Sequence, residues 1–242
     1  MTIAVIPSRY HSSRFEGKPL ALVAGKSMIQ RVYEQTKKSL VVTKTVVATD
    51  DERIFNAVEA FGGHAVMTSD DCRSGTDRVA QTADMLNLGP DDIIVNIQGD
   101  QPIFNPLTID ELISPFADDP GIVMSTLAFK ITDKREITDP KDVKVTFDYH
   151  GFALYFSRAQ IPYPRDRETT ANFYKHLGFY AYKKSFLDKL VALPTGPCEQ
   201  VEKLEQLRVL EFGYRIKVVI TPYDSPEIDL PEDIQRIEAK LK

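Results

Sequence analysis

Cysteine is scarce. Cys72 and Cys198 are the two among 242 residues. They stand far apart without metal-ligand spacing, which fits reduced thiols rather than a disulfide framework or a cysteine metal site. No apolar run approaches the roughly 18 residues of a membrane span. The opening "MTIAVIPSRY" has no charged leader and no cleavage site, so the expectation is a cytoplasmic protein. A basic excess is also missing: 30 Lys and Arg face 35 Asp and Glu, a net charge of −5. Nucleic-acid and membrane-surface roles want a basic face, and this balance argues against both. Internal repeats, low-complexity tracts and the Walker spacing G-x-x-x-x-G-K-[ST] are absent as well.

What remains is a chain with 43% hydrophobic residues, long enough for a full core in one large domain or a domain with an appended subdomain. Its first half alternates two periods. "TIAVIP", "TKTVVATD", "HAVMTS" and "DIIVNIQGDQP" read as short buried strands. Between them, "SMIQRVYEQTKKS", "DERIFNAVEAFGG" and "GTDRVAQTADMLNLG" read as helices, the last with Thr76 as N-cap, and "LTIDELISPFADD" follows as a fourth. This alternation predicts an α/β fold, a mostly parallel nucleotide-binding sheet with helices on both faces. The middle changes character: "DVKVTFDYHGFALYFSRAQIP" predicts an antiparallel hairpin turning at Asp148–Gly151, inserted into the α/β unit. Helices are expected near Ser185–Ala192 and Glu199–Phe212. "RIKVVIT" returns as a strand, and "PEDIQRIEAKLK" closes as a helix with Pro231 near its start.

In parallel sheets ligands bind outside the carboxyl ends of the strands. "IPSRYHSSRFEGKPL" occupies that position, and against the chain's negative balance it concentrates Arg9, His11, Arg14 and Lys18. Turn amides and cations are what a polyphosphate needs, although a basic loop can also be merely solvated. "NIQGDQP" places Asp100 at a strand end, where a carboxylate suits Mg²⁺ but Asp beside Gly is also ordinary turn chemistry. Asp229, in "DSPEIDLPEDI", is a second carboxylate or a helix cap. "SGTDR", Ser74 to Arg78, can present helix-start amides to a base or phosphate, or simply cap a helix.

Together these segments resemble the cytidylyltransferases that activate 3-deoxy-manno-octulosonate, an acidic eight-carbon sugar of lipopolysaccharide. "SGTDR", "NIQGDQP", "YFSRA" and "HLGFYAY" in this order carry the resemblance, which spans essentially the whole chain. It implies a fold of the nucleotide-diphospho-sugar transferase type, with one nucleotidyltransferase domain over 1–242 and a sugar-binding and dimerisation insertion at about 126–185. It implies CTP as donor, the acidic sugar as acceptor, Mg²⁺ as cofactor and a homodimer. Arg9, Ser12, Arg14 and Lys18 would hold the triphosphate. Ser74, Gly75 and Arg78 would meet the cytidine, and Gln98 the nucleotide or the sugar. Asp100 and Asp229 would bind Mg²⁺. Arg158, Arg165, His176, Tyr180, Glu205 and Gln206 would form the sugar pocket, with Arg167 an alternative to Arg165. Many members have Glu where this chain has Gln101. "GDQP", "YFSRAQIP", "PRD" and "DSPEIDLPEDIQ" are more similar to the branch acting on the 8-amino-3,8-dideoxy analogue. Other expectations on the same scaffold are a cytidylyltransferase for sialic acid, a transferase acting on a sugar 1-phosphate, and a non-catalytic nucleotide-binding domain.

Overall fold

A computed structural model describes residues 1–12, 14–166 and 171–241. The first strand, β1 (Thr2–Ser8), leads through the basic loop to a single 3₁₀ turn (Lys18–Leu20), a two-rung hairpin of β2 (Leu22–Val23) and β3 (Lys26–Ser27), and helix α1 (Met28–Thr36). Next come β4 (Lys44–Thr49), α2 (Glu52–Ala60), β5 (Ala65–Met67), α3 (Gly75–Met85) and β6 (Ile93–Asn96). Then follow α4 (Leu107–Ile113), α5 (Pro115–Asp118), β7 (Met124–Lys130) and α6 (Lys134–Thr138). Strands β8 (Lys144–Phe147), β9 (Ala153–Ser157) and β10 (Tyr174–Lys183) precede α7 (Lys184–Ala192), α8 (Pro197–Glu202) and α9 (Leu207–Glu211). The last elements are β11 (Lys217–Thr221) and α10 (Asp233–Ala239).

Among the described residues, nine strands join one sheet in the order β11-β7-β10-β6-β1-β4-β5, with β8 and β9 attached at β10. The pairs β6–β1, β1–β4, β4–β5 and β7–β11 are parallel, whereas β10 runs antiparallel to both neighbours. The expected α/β sheet is therefore present; periodicity did not reveal β7 and β10 within it, nor the short β2–β3 hairpin beside it. One apolar cluster, with Val79, Phe186, Leu187 and Tyr182, packs α3 and α7 on one face. A second, with Ile29, Val58, Leu112 and Phe179, packs α1, α2 and α4 on the other. The span 126–185 contains most of β7 and all of β10, which belong to the central sheet, and the β8–β9 hairpin, which pairs with it at Lys144↔Lys175. Its turn is the expected one: Asp148 accepts from the amides of His150 and Phe152 at 2.9 and 2.8 Å, and Gly151 takes φ +75°.

Three local expectations are corrected. The N-cap of α3 is Ser74, whose Oγ accepts from the Asp77 amide at 3.1 Å, and Thr76 lies inside the first turn. Residues 107–119 form two helices because Pro115 starts a new one. Residues 199–212 also divide, because Lys203 adopts a left-handed conformation (φ +54°) between α8 and α9.

Along β10, His176 opposes Ala128 while Tyr180 opposes Thr126, so four residues of one strand span two of the other. Gly178 (φ +73°) allows this bulge. Three consecutive carbonyls there are satisfied by side chains: Leu177 O by Gln101 Nε2 (2.8 Å), Gly178 O by Gln98 Nε2 (2.9 Å) and Phe179 O by Thr126 Oγ1 (2.7 Å).

Candidate active site

The loop after β1 folds back on itself. The Gly17 amide donates to Tyr10 O at 2.9 Å, and Gly17 takes φ +70°, where a Cβ would lie 3.1 Å from the Tyr10 hydroxyl. Glycine is thus demanded twice, and it turns the chain so that Lys18 enters the site while Pro19 is buried. The Lys18 ammonium donates to Asp100 Oδ2 at 2.8 Å and to Ile228 O at 3.0 Å, with Asp229 Oδ1 3.7 Å away. Arg14 reaches Asp229 Oδ2 at 3.1 Å. Arg9 is exposed, and its guanidinium donates to the Cys72 carbonyl, drawing the loop toward the segment before α3. Ser12 is half-buried in the same loop.

Asp100 follows β6, and its carbonyl accepts the Ile228 amide at 3.0 Å. That bond fixes the segment bearing Asp229, whose amide donates to Asp233 Oδ2 at 3.0 Å. Two carboxylates 129 positions apart in sequence are thereby brought to one ammonium. Mg²⁺ takes hard oxygen ligands and usually keeps open positions for waters and phosphates. Among the described residues no group of three or more His, Cys, Asp or Glu could hold a metal by itself. Asp100 and Asp229, converging on one cationic point, fit an ion that draws its other ligands from phosphate oxygens. Burial, then the Asp100 and Asp229 charges, pushes the neighbouring Glu227 up to about 7.

Two cavities open beside these groups. A larger one, about 620 Å³, is lined by Arg14, Asp100, Asp229, Arg158, Lys175 and His176, among others. A smaller one, about 210 Å³, is lined by Gly75, Thr76, Asn96, Tyr182 and Glu205, among others. Gln98, Tyr180 and Gln206 line both. The break at Lys203 is what brings Glu205 and Gln206 to the cavity, since both fall between the two helices. Burial raises the Glu205 carboxyl and the Tyr180 phenol.

His176 lies on β10 with its Nε2 2.9 Å from Thr126 Oγ1. The single Thr126 hydroxyl proton goes to Phe179 O, so His176 donates from Nε2 and keeps Nδ1 as an acceptor. Burial lowers this imidazole to about 3, leaving it neutral at ordinary pH. Arg158 is anchored by the carbonyls of Glu202 (2.8 Å) and Pro140 (3.0 Å).

The remaining sequence candidates lie elsewhere. Arg78 is fully buried, its guanidinium bound to Thr68 and, at 2.5 Å, to Asp50; it lines neither cavity. In this arrangement it joins α3 to the end of β4. Ser74 spends its hydroxyl on the helix cap, and Gly75 lies exposed at the mouth of the smaller cavity. Arg165 is exposed and lines neither cavity; Arg167 lies outside the described residues.

The sequence marked Gln101 only as a departure from the family and did not mark Lys175 at all. Gln101 is wholly buried: besides Leu177 O, its Nε2 donates to Glu227 Oε1 (3.0 Å), and its Oε1 accepts from Ser225 Oγ (2.7 Å). It braces the segment that bears Glu227 and Asp229 against the bulge. Lys175 is ringed by Glu136 (3.0 Å), Asp224 (3.0 Å) and Asp142 (3.9 Å). Burial lowers this ammonium, but Asp224 and Glu136 outweigh it and the net shift is upward. A lysine in a strand flanked by "YKH" carries no local sign of such partners.

The family model described as "Cytidylyltransferase" matches residues 3–216. A 3-deoxy-manno-octulosonate cytidylyltransferase of Desulfosudis oleivorans is 60% identical, over 98% of this chain and 96% of its own. An 8-amino-3,8-dideoxy-manno-octulosonate cytidylyltransferase of Shewanella sediminis is 54% identical, over 98% and 97%. A solved CMP:2-keto-3-deoxy-manno-octonic acid synthetase complexed with CTP superposes with a TM-score of 0.93 at 41% identity, covering 99% of this chain and 98% of the other.

Proposed function

The chain belongs to the cytidylyltransferase family, and from that premise we propose its reaction: transfer of CMP from CTP to the anomeric hydroxyl of 3-deoxy-manno-octulosonate or its 8-amino-3,8-dideoxy analogue, with release of pyrophosphate, for lipopolysaccharide biosynthesis. The observation that carries it is the meeting of Lys18 and Arg14 with Asp100 and Asp229 at the rim of a cavity that also holds Gln98, Arg158, His176 and Tyr180. Phosphate-binding cations, a cation-binding carboxylate pair and a polar pocket for an acidic sugar then share one opening.

Transfer of this kind depends on positioning and charge neutralisation. Lys18 and Arg14, with Arg9 nearby, bind the phosphates that leave as pyrophosphate and offset the charge that builds there. Asp100 and Asp229 would hold Mg²⁺, which when bound would neutralise phosphate charge and polarise the attacking hydroxyl. Arg158 supplies a cation for the sugar carboxylate. Neutral His176 and Tyr180 bind hydroxyls, and Gln98, tied to Gly178, orients the acceptor between the two cavities. The exposed apolar Leu154 of β9 and Tyr163 beyond it support a homodimer through the hairpin side of the molecule. Among the described residues no helix is long and apolar enough to cross a membrane, and a cytoplasmic site of action is part of the same reading.

Gln101 bears on the choice of sugar by exclusion. Its amide is consumed by Leu177, Glu227 and Ser225, so it does not read the sugar terminus directly. Pyrophosphate release with CTP, Mg²⁺ and each sugar in parallel tests the proposal. Turnover with one or both is expected, and silence with both overturns it.

A further inference from the structure

Strand β6 is apolar except for its last residue, Asn96, which is 2% exposed between Val5 of β1 and Tyr180 of β10. Its Oδ1 has no hydrogen-bond partner. Buried acceptors are almost always paired, and an unpaired one destabilises the fold that contains it. Among the described residues six buried side-chain atoms are unpaired, and three of these belong to residues lining the 210 Å³ cavity: Asn96 Oδ1, Glu205 Oε1 and Gln206 Nε2. They come from β6 and from the break between α8 and α9, so no shared local motif accounts for their meeting. The cavity shares Gln98, Tyr180 and Gln206 with the larger one.

The three atoms make a pattern. Asn96 and the Glu205 carboxylate offer acceptors, and Gln206 offers a donor. A run of hydroxyls, each both donor and acceptor, complements them; an apolar group or a second anion does not. We propose that Asn96 is a specificity-determining residue that accepts a hydrogen bond from a hydroxyl of the acceptor sugar, acting beside Glu205 and Gln206 in the small cavity. This rests on the cytidylyltransferase reading above. Sites built to bond a hydroxyl discriminate strongly against analogues that lack it, because the buried partner is left unpaired.

The test is Asn96→Leu, which keeps the branched side-chain shape at a larger volume and removes the carboxamide. Pyrophosphate release is measured with CTP and sugar varied separately, and melting is followed without ligands. The expected result is a loss of about 10- to 100-fold in kcat/KM for the sugar, with KM for CTP within about twofold of wild type. Asn96→Leu also removes the amide beside the Tyr182 hydroxyl and adds volume, so melting serves only to show that the variant folds; equal losses toward CTP and sugar would mark a purely structural Asn96. A panel of monodeoxy sugars completes the test. One analogue should show a penalty in wild type that vanishes in the variant. If Asn96→Leu does not fold, Asn96→Ala is read in the same way. An active wild type with an unaltered sugar kcat/KM in the variant, or penalties that stay additive for every analogue, overturns this inference alone. A wild type silent with both sugars overturns the functional reading and this inference with it.

Discussion

Lys18 Nζ lies 2.8 Å from Asp100 Oδ2, although 82 positions separate the two residues. One belongs to the loop that would bind phosphate and the other to the pair that would bind Mg²⁺. Each neutralises its partner until ligands arrive, and the ammonium keeps Asp100 and Asp229 from facing one another bare.

Lys18→Ala leaves two carboxylates without their shared cation. Its KM for CTP should rise tenfold or more, and its melting temperature without Mg²⁺ should fall. Added Mg²⁺ should raise that melting temperature more than it raises the wild type's, because a ligand that binds the native state stabilises it. Thermal melts across a Mg²⁺ titration check this. An equal Mg²⁺ response in both proteins would show that the ion binds elsewhere.

Asp100→Ala should lower turnover by a factor of about 10³ or more, the scale expected when a group that stabilises transition-state charge is lost. The fold should persist, because Asp100 contributes its carbonyl, not its carboxylate, to the bond with Ile228. Pyrophosphate release and circular dichroism separate the two effects. Near-normal turnover would remove Asp100 from the metal site.

His176 gives a pH prediction with a definite sign. Its folded value, about 3, lies below the ordinary 6.5. The unfolded chain therefore binds the proton more tightly between those values, and stability falls as pH drops from about 6.5 toward 3. His176→Gln should flatten that part of the stability profile, a difference on the order of a few kcal/mol at pH 4. Denaturant midpoints at pH 4 and 7 measure it.

Gln101→Glu replaces an amide donor that faces a carbonyl and a carboxylate. The loss should be about 1–3 kcal/mol. It should be larger at pH 8 than at pH 6, because Glu227, held near 7, can supply the missing proton only on the acid side. Chemical denaturation at both pH values checks this.

The parallel half of the fold was legible because each of its strands is a short apolar run followed by a periodic helix. Strand β10 was not, since "YKHLGFYAY" mixes lysine, histidine and glycine, and its partners β6 and β7 lie 44 or more positions earlier. The basic loop and the strand-end aspartates announced themselves by position and charge. Lys175 and the bracing role of Gln101 did not, because their partners come from distant loops, and Asn96 did not, because Glu205 and Gln206 beside its cavity lie far along the chain. The Lys203 break was hidden for a different reason: left-handed backbone usually advertises itself with glycine. The motif "SGTDR" drew attention to Arg78 without showing that its guanidinium turns inward to Asp50.

The bulge in β10 also restricts how this strand can vary in length. It adds two residues relative to β7, and an even number leaves the alternation of the strand intact. Ala181 packs into one of the two apolar clusters and Tyr182 into the other. A single inserted or deleted residue between Leu177 and Phe179 would exchange them, forcing a phenol into a space shaped for a methyl. Homologous chains should therefore differ here by substitution or by pairs of residues, and a one-residue gap would mark a chain whose sheet is built differently.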